Sequence, residues 1–375
     1  MKDLHVLIKP ASSLCNLACR YCFYHSLASN NRKEFSYGFM DERTLTALVE
    51  KAFREAERSI LFAFQGGEPT LCGMGFYKKL ISLVEEYNTK KIKTGYAIQT
   101  NGMLIDEEWA RFLHDNGFLV GLSLDGPKDI HDANRINKNG KGTFNEVMKA
   151  AKMLRKHDVS YNILTVVTSS AARYAGKIYN FFSRSGFDYL QFIPCLEPFG
   201  EHDAKSPFPL TPQRYGSFLT KLFDLYYNDN MNGKFRSIRY FDNLVGIAAG
   251  YSPETCDMNG RCTIQFVIEG NGDVFPCDFY CTDDWLLGNI NKVSYEELAK
   301  TSAAAEFIAM SEVISEKCAA CGEYLFCRGG CRRTKEPVIN GKLSDQYFCE
   351  SYRSLFVKNI SRISNMARMF IQRNQ

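Results

Sequence analysis

Eleven of the fourteen cysteines in this 375-residue chain stand at spacings that suit iron or zinc. Cys15, Cys19 and Cys22 form Cys-x3-Cys-x2-Cys. Three thiolates satisfy three irons of a cubane and leave the fourth open, whereas an electron-transfer cluster normally takes four cysteines. This set therefore points to an iron completed by a substrate or cofactor. Tetrahedral zinc also favours Cys-x2-Cys, so a zinc knuckle is the alternative. Further on, Cys318, Cys321, Cys327 and Cys331 form Cys-x2-Cys-x5-Cys-x3-Cys, flanked by Cys256, Cys262, Cys277 and Cys349. Eight ligands there suit two fully ligated clusters or two four-cysteine zinc sites, and zinc cannot accept an electron. Cys72, Cys195 and Cys281 are left over and need no function; Cys72 and Cys195 read as small hydrophobes.

Other sequence features narrow the class. The first ten residues hold too short an apolar run for a signal peptide, and no 18 consecutive apolar residues occur. The expected location is the cytoplasm, where a reducing environment disfavours disulfides and leaves ligation as the use for so many thiols. A net charge of +4, scattered along the chain, argues against nucleic acid or an anionic membrane as partner. The run Lys90-Lys91-Ile92-Lys93 reads as a solvated helix end.

These residues need elements to position them. Short apolar or β-branched runs at 4–8, 60–64, 95–100, 119–124, 161–167 and 189–193 alternate with helical patterns at 41–58, 75–87, 107–116, 143–157 and 172–185. Asp41 is the expected N-cap of the first of these helices, with Leu45, Leu48 and Val49 on its apolar face. Repeated βα units predict an α/β fold, a partial (β/α)6 TIM-like barrel with its site at the carboxyl ends of the strands. Helices at 211–230 and 238–250 should leave the barrel. A hairpin at 265–276 turns at Gly270-Asn271-Gly272, and a last helix covers about 351–373. The expected domains are a barrel at 1–235, a cysteine-rich module at 236–350 and a C-terminal helix at 351–375.

With Tyr21 directly before Cys22, the first cysteine set resembles the radical S-adenosylmethionine (SAM) superfamily. In that family the amino and carboxyl groups of the cofactor chelate the open iron. Gly66-Gly67-Glu68-Pro69 follows the second strand, where glycines permit close backbone approach and Glu68 can accept from an ammonium group. The resemblance gives this stretch the cofactor's amino group. It makes Ser123 and Arg135 contacts to the carboxylate or ribose region, and Tyr21 and Leu196 further cofactor contacts. The second cysteine group resembles the twin-cluster SPASM domain. Carried over, Cys256, Cys262, Cys277 and Cys331 hold one [4Fe–4S] cluster, and Cys318, Cys321, Cys327 and Cys349 hold the other.

Three stretches, Leu7-Ile8-Lys9-Pro10-Ala11-Ser12-Ser13, Phe62-Ala63-Phe64-Gln65-Gly66-Gly67-Glu68-Pro69-Thr70 and Pro276-Cys277-Asp278-Phe279-Tyr280, resemble anaerobic sulfatase-maturating enzymes. The resemblance implies three [4Fe–4S] clusters and S-adenosyl-L-methionine. A 5′-deoxyadenosyl radical would take hydrogen from Cβ of a cysteine or serine in an unfolded sulfatase, giving Cα-formylglycine. Asp278 would be the base, auxiliary clusters would take the second electron, and a ferredoxin or flavodoxin would be the electron donor. Tyr24 and Gln65 lie beside the cluster and cofactor motifs and should line the substrate site; the chain should act as a monomer. Two alternatives stand beside this reading. One is a SPASM maturase that crosslinks a precursor peptide, disfavoured because the first strand begins by about Leu4 and Cys277 is paired with Asp278. The other is a non-catalytic iron–sulfur or zinc electron-transfer module.

Overall fold

The computed structural model describes residues 1–30, 32–199 and 206–373. Residues 374–375 of the expected C-terminal segment lie outside them. Six strands form where the apolar runs predict: β1 Asp3–Ile8, β2 Ser59–Phe64, β3 Lys93–Thr100, β4 Phe118–Ser123, β5 Tyr161–Val167 and β6 Tyr189–Pro194. Among the described residues six short strands follow, β7 Ser237–Ile238, β8 Val267–Ile268, β9 Asp273–Phe275, β10 Gly288–Asn289, β11 Val338–Ile339 and β12 Lys342–Leu343.

The described chain divides into two compact units that do not follow the expected domain order. The first comprises Met1–Leu124, His131–Asn162 and Ile264–Phe307, so the 265–276 hairpin packs with the N-terminal strands. Its strands run in the order β10-β9-β8-β1-β2-β3-β4. β1 to β4 are parallel neighbours, with Val6 opposite Phe62 and Ile98 opposite Val120. Leu4, Val6 and Ile8 of β1 are buried on one face, alternating with less buried residues, whereas Val120 to Ser123 of β4 form a continuous buried run. Edge-to-face contacts join Phe64 of β2 to Tyr77 of the helix Gly73–Tyr87 (5.1 Å), and Tyr77 to Trp109 of the helix Glu107–Asp115 (5.2 Å).

The hairpin turns where Gly270-Asn271-Gly272 predicts, but its first strand also adds to the main sheet. β8 pairs parallel with β1, Ile8 opposite Ile268, and Lys9 N donates to Ile268 O at 2.8 Å. A strand of two residues carries too little periodicity for this to be read beforehand.

Asp41 caps the helix Glu42–Glu55 as predicted, Oδ1 accepting from Thr44 N at 2.7 Å. That helix stops short of 58 because Glu57 N and Arg58 N donate to Met1 O and Lys2 O, which aligns the chain for β2. Lys90 is not a merely solvated helix end: its Nζ donates to Phe53 O (3.3 Å) and Arg54 O (3.1 Å), capping that same helix.

The second unit holds Asp125–Ile130, Ile163–Thr263 and Ile308–Gln375. In it β5, β6 and β7 are parallel, Ile163 opposite Leu190 and Leu190 opposite Ile238. The helix expected at 172–185 begins as a 3-10 turn, Ala171–Tyr174, and becomes α-helical at Ala175–Arg184. Pro212–Met231 packs closely on the final helix Cys349–Arg373, since a Cβ on Gly216 would come within 3.1 Å of Ser351 Cα. The final helix begins at Cys349, two residues before the predicted start.

Candidate active site

The first cysteine set lies between β1 and the helix Phe23–Asn30. Backbone contacts to the glycine motif shape this loop: Gly67 N donates to Ser12 O (2.9 Å) and Glu68 N to Leu14 O (2.8 Å). A Cβ on Gly67 would stand 2.0 Å from Leu14 O, and one on Gly66, at φ +112°, 2.8 Å from Ser12 O. The close approach that these glycines permit is therefore to the cysteine loop itself. Burial raises the Cys15 thiol to about 12, against the Leu17 amide that donates to it, with Glu68, Cys19 and Cys22 adding to the rise. Three thiols within electrostatic reach of one another in a half-buried loop fit the three-ligand edge of a cubane, and binding iron would displace their protons.

Glu68 is fully buried and does not wait for an ammonium group. Its Oε1 accepts from Thr70 N (3.1 Å), Thr70 Oγ1 (2.6 Å) and Thr100 Oγ1 (2.8 Å), and its Oε2 from Asn101 N (2.8 Å). Three protein donors crowd Oε1 and one reaches Oε2, so protein groups hold both oxygens. Asn101 in turn donates to Asn16 Oδ1 at 2.8 Å, beside Cys15. Glu68 thus braces the ends of β2 and β3 against the cysteine loop.

Of the other residues expected to hold cofactor, the Arg135 guanidinium sits over the Tyr21 ring at 5.5 Å. Ser123 Oγ accepts from Gln99 Nε2 at 2.9 Å. Leu196 follows β6 in the second unit.

Asp278, Tyr24 and Gln65 meet within the first unit although 254 residues separate the first two. Asp278 opens a 3-10 turn, Asp278–Tyr280, whose N-cap is Cys277. Its Oδ2 accepts from Tyr24 OH at 2.6 Å and Gln65 Nε2 at 3.1 Å, and Gln65 Nε2 also reaches Tyr24 OH at 2.6 Å. Oδ1 is buried and has no hydrogen-bond partner. Burial raises the Asp278 pKa, opposed by the Lys9 charge and the Tyr24 hydroxyl and assisted by Glu269. Burial and the Asp278 charge hold Tyr24 protonated, so it acts as a donor. A carboxylate held through one oxygen, with its other oxygen open, can take a proton from a bound group.

Sequence reasoning missed a second set beside this one. Lys9 Nζ lies 2.6 Å and Arg32 Nη1 2.9 Å from Glu269 Oε1, all three side chains at most 1% exposed. The only hint was a lysine closing an apolar strand run. Cys281, read as spare, is buried against the same charges, and burial raises its thiol so that it stays protonated.

In the second unit the auxiliary cysteines sort into two neighbourhoods. Burial raises Cys331 to about 12, and Cys256, Asp257 and Cys262 add to the rise. Cys327 is raised by burial, then by Cys318, Cys321 and Cys349. Cys277 belongs to the first unit. Among the described residues no three His, Cys, Asp or Glu side chains close around a single metal ion. These neighbourhoods are therefore groupings within electrostatic reach, and their all-thiol donor sets fit iron–sulfur chemistry. A cavity of about 240 Å³ opens beside Cys318, lined also by Tyr324, Arg328 and Lys342. No helix among the described residues is long and apolar enough to cross a membrane.

Comparison with known proteins agrees with both halves of this arrangement. Residues 10–170 match the radical SAM superfamily, and residues 256–322 match the SPASM iron-sulfur cluster-binding domain. Over 373 residues, 100% of both chains, the protein is 48% identical to the cysteine-type anaerobic sulfatase-maturating enzyme of Clostridium novyi (strain NT). It is 32% identical over 371 residues to the serine-type anaerobic sulfatase-maturating enzyme of Bacteroides thetaiotaomicron, covering 95% of this chain and 89% of the relative. The solved structure of native anSMEcpe with bound AdoMet and Cp18Cys peptide matches with a TM-score of 0.93 and 46% identity, over 98% of this chain and 99% of that one. The α/β fold, the radical SAM and SPASM domains and full-length similarity agree, and this chain belongs to the anaerobic sulfatase-maturating enzymes.

Proposed function

We propose that this enzyme oxidises a cysteine of an unfolded sulfatase to Cα-formylglycine, with Asp278 as the base. The observation that carries this reading is the open, buried Oδ1 of Asp278, whose companion oxygen is held by Tyr24 and Gln65. Preference for cysteine over serine rests on 48% identity to a cysteine-type relative against 32% to a serine-type one.

Cys15, Cys19 and Cys22 would hold the first cluster. The backbone of Gly66-Gly67-Glu68, with Tyr21, Ser123, Arg135 and Leu196, would hold S-adenosylmethionine. Cys256, Cys262, Cys277 and Cys331 would hold one auxiliary cluster, and Cys318, Cys321, Cys327 and Cys349 the other, with 236–350 as the module that carries them. When bound, these groups supply hydrogen-atom abstraction at an unactivated carbon and a one-electron acceptor.

The chain's own residues do the rest. Oδ1 of Asp278 accepts the proton of the substrate thiol. Tyr24 OH and Gln65 Nε2 hold Oδ2 and so fix the direction of the accepting lone pairs. Both are half-buried and line the approach to the buried carboxylate. Glu68 ties the end of β3 to its own loop, and Asn101 carries the link on to Asn16 beside Cys15. A cytoplasmic monomer reduced by a ferredoxin or flavodoxin is the setting that we infer.

Anaerobic incubation of the reduced, cluster-loaded enzyme with a cysteine-containing sulfatase peptide should yield an aldehyde adduct and 5′-deoxyadenosine. The matching serine peptide should react more slowly. A crosslinked peptide without aldehyde would assign the chain to peptide crosslinking instead.

A further inference from the structure

We propose that Lys9, locked by Glu269, is a positioning residue that sets the geometry of the Tyr24–Gln65–Asp278 cluster. The inference rests on the reading of Asp278 as base. Lys9 leaves the end of β1 and touches three elements of the site. Its Nζ lies 2.6 Å from Glu269 Oε1, on the hairpin that leads to Asp278. The same Nζ lies 5.1 Å from the Tyr24 ring centroid. Its Cβ and Cγ pack so closely on Gly66, next to Gln65, that an added Cβ there would stand 3.2 Å from them. The backbone reinforces the arrangement, since Lys9 N donates to Ile268 O at 2.8 Å, one residue before Glu269.

A buried ion pair of this kind is a costly way to join a strand to a hairpin, and a well-packed apolar pair of similar volume generally holds as well. What an apolar pair cannot supply is a cation against the face of Tyr24. Burial opposes the Lys9 charge, but the surrounding acidic groups prevail and the ammonium persists. With Cys281 protonated, the anions facing it are Glu269 and Asp278. Arg32, whose guanidinium stacks on Tyr37 at 4.5 Å, reaches the same Glu269 oxygen, Oε1, at 2.9 Å. Glu269 is thereby fixed between two cations, and Lys9 is fixed by Glu269. The Tyr24 ring is then held on one face by Lys9 while its hydroxyl holds Asp278 Oδ2.

The test compares Lys9→Met/Glu269→Leu, Glu269→Gln and Asp278→Asn in cluster-loaded enzyme at saturating cysteine peptide. The readouts are iron content, peptide KM and the ratio of formylglycine to 5′-deoxyadenosine. The double substitution removes both charges together, so a purely structural role would leave the ratio intact. We expect wild-type iron, an unchanged KM and a ratio lowered about tenfold, the order of loss that small misplacement of a reacting group produces. Glu269→Gln keeps the volume of the side chain and should lower the ratio in the same direction. It decides the matter if the double variant fails to take up iron. A wild-type ratio in the folded double variant, or failing that in Glu269→Gln, overturns the role of Lys9 while an uncoupled Asp278→Asn leaves the base standing. A wild-type ratio in Asp278→Asn removes the base and this inference with it.

Discussion

Two buried carboxylates of the first unit, Glu68 and Asp278, stand in contrasting environments. Glu68 receives four donors from Thr70, Thr100 and Asn101, and each of its oxygens has at least one. Asp278 receives two donors on Oδ2 and none on Oδ1. Burial raises the pKa of both. The charge of Glu68 is spread over a closed set of hydrogen bonds, which makes it a brace. The open oxygen of Asp278 is a site where a proton can go. Burial alone therefore does not single out a reactive group, nor does an unfilled acceptor alone: Glu269 Oε2 is unfilled too, but its carboxylate is ion-paired to Lys9 and Arg32, whereas Asp278 has only neutral donors.

The contrast predicts different failures when each charge is removed. Asp278→Asn takes away the open basic oxygen beside Tyr24 and Gln65 and leaves the cysteine loop untouched. Formylglycine should fall by about 10²–10⁴-fold, the usual contribution of a positioned base. Release of 5′-deoxyadenosine should continue, and mass spectrometry of peptide beside chromatography of the nucleoside reads both. If the two products fall together, Asp278 supports the fold as Glu68 does and the distinction fails.

Glu68→Gln should show the reverse. An amide nitrogen would face a donor from Thr70, Thr100 or Asn101, leaving a buried group unsatisfied at a cost of about 1–3 kcal/mol. The expected result is a lower melting temperature and reduced iron at the first cluster, with aldehyde and 5′-deoxyadenosine falling in parallel. Thermal denaturation and iron analysis measure this directly. A stable, fully loaded variant whose ratio of products is altered would instead place Glu68 among the reacting groups.

How far these roles could be read beforehand depends on sequence distance. Cys-x3-Cys-x2-Cys lies within eight residues, and Asp41 caps the helix beginning at the next residue, so local spacing carried both. The six main strands were legible because each is a short run rich in apolar or β-branched residues, with alternate positions buried in β2 and β5. The bracing role of Glu68 was not legible, since nothing in Gly66-Gly67-Glu68-Pro69 tells that the carboxylate also turns back on Thr70 and Asn101. Lys9 and Glu269 went unnoticed because their pairing depends on β8, only two residues long, joining β1 across some 260 residues of chain. The division into two units was hidden for the same reason: the hairpin follows the second-unit helices in sequence but packs with the first strands.

The smallest effect should come from Tyr24→Phe, which opens Asp278 a little further. The substitution keeps the ring that lies 5.1 Å from Lys9 Nζ and removes only the hydroxyl. Asp278 Oδ2 loses its 2.6 Å donor but keeps Gln65 Nε2 at 3.1 Å, so the carboxylate can swing about one remaining hydrogen bond. Loss of one charge-assisted hydrogen bond is worth about 1.5 kcal/mol, or roughly tenfold in a rate that depends on it. We therefore expect kcat for aldehyde formation to fall about tenfold at unchanged peptide KM, with iron content intact. Stopped-time assays over a range of peptide concentrations separate the two constants. If KM rises and kcat holds, the hydroxyl binds the peptide and Gln65 alone orients the base. If neither moves, Oδ1 is directed by the backbone turn at Cys277–Asp278, and the two-donor grip on Oδ2 has no part in the reaction.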